Sequence, residues 1–249
     1  MISQNIIAHL IELRKRLLYS VGSLLLVFLF LFPWAADLYS LLAHPLLAKL
    51  PQGGQMIATD VTTPFFVPVK VALMTAFLIT LPYILYQIWS FVAPGLYSHE
   101  KRWIVPLVVA SLLLFLGGMS FAYFAVFPMV FGFITASAPA GVAVMTDIDK
   151  YLSFVMSMFL AFGITFQVPV AVVALVKVGF VSVAKLREIR RYVIVGAFVA
   201  GAILTPPDVV SQFMLAIPLW LLYEAGIWVA IWTIKTPKES DIGTESNKI

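Results

Sequence analysis

Long apolar blocks separated by short polar intervals dominate the pattern of this chain. The apolar blocks predict six membrane-spanning helices, over about 17–32, 65–91, 103–127, 151–176, 192–204 and 209–223. The last two blocks have only about 13 and about 15 residues, so each gives roughly 20 Å of helix against a hydrocarbon core of roughly 30 Å. The pattern therefore predicts an all-α, polytopic membrane protein whose last two spans are short.

The two ends of the chain lie outside these spans. Residues 3–16 carry apolar side chains at helical spacing, which predicts a short amphipathic helix. Glu12 and Arg16 lie one turn apart on its polar side and form a favourable i,i+4 pair. Residues 235–249 are polar and predict a disordered tail, so the membrane domain covers residues 1–234.

Two long connectors separate spans on one side of the membrane. Residues 33–68 predict short helices on either side of Pro45, followed by an extended segment that leads into the second span. Residues 128–150 end in Asp147, which is a favourable N-cap for the fourth span. A tight turn before the sixth span ends in Asp208, which we expect to cap that helix.

Basic residues are distributed unevenly between the two sides that six spans define. Thirteen of the 16 Lys and Arg residues fall on the side that holds both termini, and three fall on the other side. Cytoplasmic loops carry such an excess, so both termini are predicted in the cytoplasm and the long connectors are predicted to form periplasmic caps. The net charge of +4 arises from the same loops, so it does not indicate nucleic-acid binding.

Composition supports the membrane class and excludes several kinds of chemistry. The chain is 62% hydrophobic and 11% charged, whereas a soluble domain has about 45–50% apolar and about 25% charged residues. It has no cysteine, so disulfides, thiolate chemistry and cysteine-based metal sites are excluded. It also lacks a phosphate-binding loop and a zinc-protease helix motif. We therefore predict no enzyme activity, cofactor or metal.

The polar interval from Phe91 to Arg102 is the most distinctive candidate site. Pro94 and Gly95 break the preceding helix, and a histidine, an acid and two bases follow on a very short connector. The acid, Glu100, suits a cationic ligand and above all a guanidinium group. Glu12 lies on the same predicted side, so the two acids would suit a pair of arginines if the fold brought them together. The alternative is a charge-balanced turn without a ligand.

Two further polar residues lie within or beside the spans. Gln167 sits near the middle of the fourth span beside Pro169, where it either joins helices or takes part in transport. Glu224 follows the short sixth span, where it is either an intramembrane acid or an acid that reaches cytoplasmic water. At this level two functions stay open: a receptor without covalent chemistry, and a proton-coupled secondary transporter of small solutes that uses both residues.

Several stretches in order along the chain resemble one family. They are His9–Arg16, Phe91–Tyr97 with Glu100, Phe121–Phe124, Tyr151–Phe154 and Leu204–Asp208. Together they resemble the TatC family, the signal-peptide receptor subunit of twin-arginine protein translocases, over nearly the whole chain. The family also has six spans with two short final ones.

The resemblance implies a function that composition does not show. It implies binding of twin-arginine precursor proteins, assembly with single-span TatB-like and TatA-like subunits, self-association in membrane lipid and transport driven by the proton-motive force. By position, the implied signal-peptide residues are Glu12, Glu100, Arg14, Arg16, Phe91, Pro94 and Leu96, with Pro45 in the outer cap. Glu224 matches an acidic position of the family. Gln167 departs from it, because many relatives have glutamate there, so a hydrogen-bonding role is expected.

The two short final spans suggest where partners bind. A bilayer core of about 30 Å must thin to match helices of roughly 20 Å. Thinning favours a partner with an equally short helix. We therefore predict a partner-binding edge on the fifth and sixth spans that includes Val209, Gln212 and Leu215.

Overall fold

A computed structural model of the protein describes residues 2–47, 56–92, 104–136, 146–204 and 209–234. Their elements are α1 (Ile2–Leu31), α2 (Ala35–Leu47), β1 (Met56–Ile57), α3 (Thr63–Val92), α4 (Ile104–Phe121), α5 (Phe127–Ala136), β2 (Thr146–Asp147), α6 (Ile148–Thr165), α7 (Val168–Lys177), α8 (Val183–Glu188), α9 (Arg190–Leu204) and α10 (Val209–Ile234). We call the end of the bundle where α1 begins and α3 ends the α1 end. The opposite end, which holds β1 and β2, is the strand end.

The helices confirm the predicted polytopic all-α fold. Within the described residues, five segments are long and apolar enough to cross a membrane: His9–Leu41, Thr63–Val92, Ile104–Phe133, Ile148–Lys177 and Val209–Thr233. The predicted fifth span corresponds to α9, which has 15 residues and is short as predicted. Along the described chain, successive segments alternate in direction between the α1 end and the strand end.

The first segment is simpler than predicted. The amphipathic stretch 3–16 and the first span form one helix of 30 residues, because no glycine or proline separates them. The expected break at Pro45 is wrong, since α2 runs through that position from Ala35 to Leu47. Proline there lies in the last turn of the helix. The side chain of Pro45 lies outside the part that the structure describes, so its role in a cap stays a prediction.

The helix of the predicted sixth span, α10, is longer than its apolar block suggested. It has 26 residues and continues past Glu224 to Ile234. It continues because the residues after Glu224 are again apolar and because Arg190 neutralises the carboxylate at 2.7 Å. Arg190 is also the first residue of α9. The part of α10 that lies beside α9 therefore ends near Glu224. The predicted sixth span, 209–223, ends at the same place.

Two prolines stand beside irregular turns in long helical segments. A wide π-helical turn at Ala122–Val126 joins α4 to α5 just before Pro128. Proline lacks an N–H and its ring crowds the preceding turn, so a wider turn accommodates it. The helix consequently continues to Ala136, beyond the predicted end near 127. Likewise, Pro169 stands in the first turn of α7, directly after the break that separates α7 from α6.

A two-stranded parallel sheet, which we call the connector clasp, joins the two long connectors at the strand end. β1 and β2 pair in parallel, with Met56 opposite Thr146 and Ile57 opposite Asp147. Asp147 is the N-cap of α6, as predicted, and accepts hydrogen bonds from the backbone N–H groups of Asp149 and Lys150 at 2.9 and 3.0 Å. The side-chain hydroxyl and backbone N–H of Thr59 also donate to its carboxylate. The hydroxyl of Thr59 contributes most to lowering the pKa of Asp147 to about 2.

Small residues hold α4 and α6 together in the core. A Cβ atom added at Gly118 would lie 2.5 Å from the carbonyl oxygen of Phe162, and one added at Gly163 would lie 2.5 Å from the ring of Phe115. Ala122 is fully buried one turn beyond Gly118. These small residues let α4 and α6 approach closely, and Gln167 follows directly after the end of α6.

Candidate functional site

The polar first part of α1 contacts the end of α3 through two stacked rings. The His9 imidazole stacks on the Phe91 ring with centroids 4.2 Å apart and planes at 21°. His9 belongs to the polar part of α1, and Phe91 is the penultimate residue of α3. The predicted receptor stretch therefore begins beside the predicted amphipathic segment. This contact gives the two candidate regions a common location at the α1 end.

A second contact lies about two turns further along α1 and one turn back along α3. Arg16 donates from Nε and Nη2 to the Glu12 carboxylate oxygen Oε1 at 2.9 and 2.7 Å, which confirms the predicted pair. Its third nitrogen, Nη1, donates to Oε1 of Gln87 on α3 at 3.2 Å. The pair is partly shielded, with 25% of the Arg16 side chain and 35% of the Glu12 side chain exposed. Arg16 thus links α1 to α3.

The geometry leaves half of the Glu12 carboxylate available. Both Arg16 nitrogens bind Oε1, and within the described residues no hydrogen bond reaches Oε2. Arg14 and Lys15 are exposed on the same turns of α1. A guanidinium group approaching from outside therefore meets one open carboxylate oxygen within a basic surface. Such an oxygen accepts charge-assisted hydrogen bonds, which are stronger than neutral ones.

Several predicted site residues lie beyond this geometry. Pro94, Leu96 and Glu100 are outside the described residues, as is Asp208 near the start of α10. The predicted proximity of Glu12 and Glu100 therefore stays a prediction. Among the described residues, no group of three or more His, Cys, Asp or Glu side chains is placed to hold a metal ion.

Gln167 joins three helices rather than standing alone in a span. Its amide Nε2 donates to the Ser111 carbonyl of α4 at 2.9 Å, and the Ser111 hydroxyl accepts from Trp89 of α3 at 2.9 Å. The amide oxygen of Gln167 is buried and accepts no hydrogen bond from the described residues. These contacts support the structural interpretation of Gln167. They also leave one buried acceptor of its amide unused.

Glu224 forms an ion pair with the first residue of α9. Arg190 donates to its carboxylate at 2.7 Å, and the neighbouring Tyr223 hydroxyl donates to the Leu186 carbonyl of α8 at 2.9 Å. The Glu224 side chain is 20% exposed and that of Arg190 is 43% exposed. Whether Glu224 acts as an intramembrane acid or reaches cytoplasmic water stays a prediction. The residue is a partly shielded acid with a basic partner.

The predicted partner edge is only partly on the surface. Val209 is exposed, and Gln212 donates to the Phe198 carbonyl of α9 at 3.0 Å. Leu215 has no exposed surface and lies in the core cluster with Phe162 and Met158. Its assignment to the edge is therefore wrong, because its side chain packs in the core beside α6 instead of facing outward.

Sequence reasoning missed Gln87 as a partner of Arg16 and Arg190 as the partner of Glu224. Gln87 lies one helical turn before Phe91, so it shares a face with a predicted site residue. That spacing was a usable signal. Arg190 had no comparable signal, since it is 34 residues away from Glu224 along the chain.

The chain matches one protein-family model over most of its length. Residues 8–218 match the model described as "Sec-independent protein translocase protein (TatC)". The matched range includes Glu12, Arg16, Gln87 and Gln167.

Individual relatives agree with the family match. A Sec-independent protein translocase protein TatC of Azotobacter chroococcum is 55% identical over 223 residues, which cover 90% of this chain and 88% of the relative. One of Escherichia coli K12 is 55% identical over 226 residues, covering 91% and 88%. A crystal structure of the twin-arginine translocase receptor TatC is 40% identical with a TM-score of 0.80, covering 91% of this chain and 100% of that one.

Proposed function

This chain belongs to the TatC family of Sec-independent protein translocases, and on that premise we propose that it binds twin-arginine signal peptides through Glu12 and Glu100. It is a multi-pass inner-membrane protein and a translocase subunit, so it acts in protein transport rather than as an enzyme. Glu12 and Glu100 supply the two carboxylates that a pair of guanidinium groups requires.

The observation that carries this proposal is the open oxygen of Glu12. The carboxylate is held at the junction of α1 and α3 by Arg16, and only Oε1 is used. The His9–Phe91 stack holds the same junction, from which the chain continues toward Glu100. A guanidinium fork matches a carboxylate better than an ammonium does, because it offers planar paired donors. The site therefore favours arginine over lysine.

The proposed orientation places the α1 end in the cytoplasm. Basic side chains at this end include Arg14, Lys15, Arg16, Lys185, Arg187 and Arg191. The strand end has Lys70, which pairs with Asp149 at 2.6 Å, and Lys150. An excess of basic residues marks the cytoplasmic side. The signal-peptide site and both termini then face the compartment in which precursor proteins fold.

The proposed partners are single-span TatB-like and TatA-like subunits. We place them on the edge formed by α9 and the first half of α10, where Val199, Ile203 and Val209 are exposed apolar residues. Gln212 lies in this edge and ties it to α9, whereas Leu215 is withdrawn from it. The short α9 supports a local match to a thinned bilayer. Self-association and coupling to the proton-motive force belong to the same proposal.

The secondary-transporter alternative is not retained. It required Gln167 and Glu224 to act as polar groups of a solute pathway. Gln167 instead bonds to the α4 backbone, and Glu224 is paired with Arg190. Family membership points to protein transport rather than solute transport.

Peptide binding tests the proposal directly. Glu12→Gln and Glu100→Gln should each weaken binding of an Arg-Arg signal peptide by about tenfold, the factor that corresponds to losing about 1.4 kcal/mol of charge-assisted contact. Binding is measured with the full chain in detergent, using a Lys-Lys peptide as the reference ligand. Glu188→Gln is the matched control, because Glu188 is an exposed acid paired with Lys185 on the α8 surface. Unchanged affinity in both site variants would contradict the proposal.

A further inference from the structure

The acid proposed to receive a signal arginine is already bound to an arginine of this chain. Two nitrogens of Arg16 bind Oε1 of Glu12, and its third nitrogen binds Gln87 at 3.2 Å. We propose that Arg16 determines specificity: an incoming guanidinium competes with it for Glu12, and Gln87 holds Arg16 when it is displaced. This inference rests on the proposed receptor function and concerns the selectivity of that same site.

Charge gives the first reason for competition. Glu12 and Arg16 together have no net charge, and Arg14 and Lys15 add two positive charges on the same turns. A signal peptide with two arginines therefore approaches a site that is already basic. It gains full Coulomb attraction from Glu12 only when Arg16 moves away from the carboxylate. Arg16 thus weakens the binding of every cationic ligand to Glu12.

The geometry of the competitor gives selectivity. Arg16 holds one carboxylate oxygen with two N–H groups, at 2.9 and 2.7 Å. A second guanidinium offers an equivalent fork and can replace these bonds. A lysine ammonium is a compact, strongly hydrated charge without that fork. A ligand must therefore displace Arg16 from Glu12 in order to bind. An arginine ligand can replace the two hydrogen bonds that are lost, and a lysine ligand cannot.

Gln87 makes the exchange possible. Gln87 is buried on α3, with 6% of the residue exposed, and its amide oxygen accepts from Arg16 Nη1. In the described residues, Glu12 is the only acid that forms an ion pair with Arg16. Arg16 is itself partly shielded, so leaving Glu12 without another acceptor would cost hydrogen bonds. Gln87 is therefore a positioning residue that stabilises the displaced arginine.

Opposite effects of two variants test the exchange. Arg16→Gln should bind an Arg-Arg peptide about two- to fivefold more tightly, the range expected when a partly exposed ion pair no longer competes. Its Lys-Lys peptide binding should improve by a larger factor, so selectivity falls. Gln87→Met keeps the side-chain length but removes the acceptor, and it should weaken Arg-Arg binding by a similar factor. The double variant should behave like Arg16→Gln, because Gln87 acts only through Arg16.

A neighbouring basic residue provides the control for Arg16→Gln. Lys15→Gln removes the same charge from the adjacent residue, which has no contact with Glu12, and measures the general effect of charge. Weaker Arg-Arg binding by Arg16→Gln, or the same change as Lys15→Gln for both peptides, would overturn the exchange. If Glu12→Gln weakens binding while Arg16→Gln does not strengthen it, only the exchange is wrong. If Glu12→Gln has no effect, the receptor function itself is wrong.

Discussion

Asp147 is an acid of the described residues whose protonation is tied to the fold. Its pKa is held at about 2 chiefly by the Thr59 hydroxyl, below the ordinary value of 3.8. Because the folded-state pKa is the lower one, the ionised carboxylate stabilises the connector clasp above about pH 4, and this stabilisation is lost as the pH falls toward about 2. Asp147→Asn should lack that loss.

The measurement is the unfolding temperature in detergent between about pH 5 and about pH 2. Wild type should lose more stability over this interval than Asp147→Asn. Asp37→Asn is the control, since Asp37 is an exposed acid in the first turn of α2. Equal pH slopes in wild type and Asp147→Asn would show that the clasp does not depend on this carboxylate.

The Arg190–Glu224 pair should couple more strongly than a fully exposed pair. The two side chains are 43% and 20% exposed, so their coupling should reach about 0.5–1 kcal/mol after solvent screening. A double-mutant cycle with Arg190→Gln and Glu224→Gln measures it from unfolding free energies. Lys185–Glu188, at 59% and 65% exposure, is the comparison and should give a value near zero. Equal coupling in both cycles would contradict the role of Arg190 in neutralising Glu224.

Local residue contacts were predictable, and long-range contacts were not. The Glu12–Arg16 pair follows from a separation of four positions on a helix, and the N-cap at Asp147 follows from residue type. Gln87 reaches Arg16 across 71 positions, so only the packing of α1 on α3 defines that contact. The same distinction explains the error at Leu215. Its position on an apolar helix does not say which face meets α6.

Gly118 gives a direct test of packing between elements. A Cβ atom there would lie 2.5 Å from backbone of α6, whereas one at Gly117 would meet nothing within 4 Å. Gly118→Ala should therefore destabilise the protein by about 1–3 kcal/mol through overpacking. Gly117→Ala should be neutral or stabilising by about 0.5–1 kcal/mol, because alanine favours helix. Unfolding in detergent compares them, and equal stability of the two variants would contradict the tight α4–α6 contact.

At the level of elements, apolar periodicity predicted the helices better than their ends. Pro45 was expected to interrupt a helix and the third span was expected to end near 127, but α2 continues through Pro45 and a π-helical turn before Pro128 carries that span on to Ala136. The short α9 was predicted correctly from its residue count. The length of α10 was underestimated, because the charge of Glu224 suggested a span limit and its partner Arg190 was not evident in the sequence.

For the whole molecule, orientation in the membrane is the next testable property. The chain has no cysteine, so a single introduced cysteine reports on one position. Val61→Cys at the strand end should react with a membrane-impermeant thiol reagent added to the periplasmic side. Arg187→Cys on α8 should react only after the membrane has been permeabilised so that the reagent reaches the cytoplasmic side. The reverse pattern would contradict the proposed orientation.

We propose that the junction of α1 and α3 receives the twin-arginine signal. The most direct measurement places a photo-crosslinking residue at Phe91, which stacks on His9 beside Glu12. In membrane vesicles, this position should crosslink to a precursor with an Arg-Arg signal and lose the crosslink with a Lys-Lys signal. The same probe at Val61, at the strand end, is the control. Crosslinks from position 61 but not from position 91, or equal crosslinks to both signals, would contradict the account.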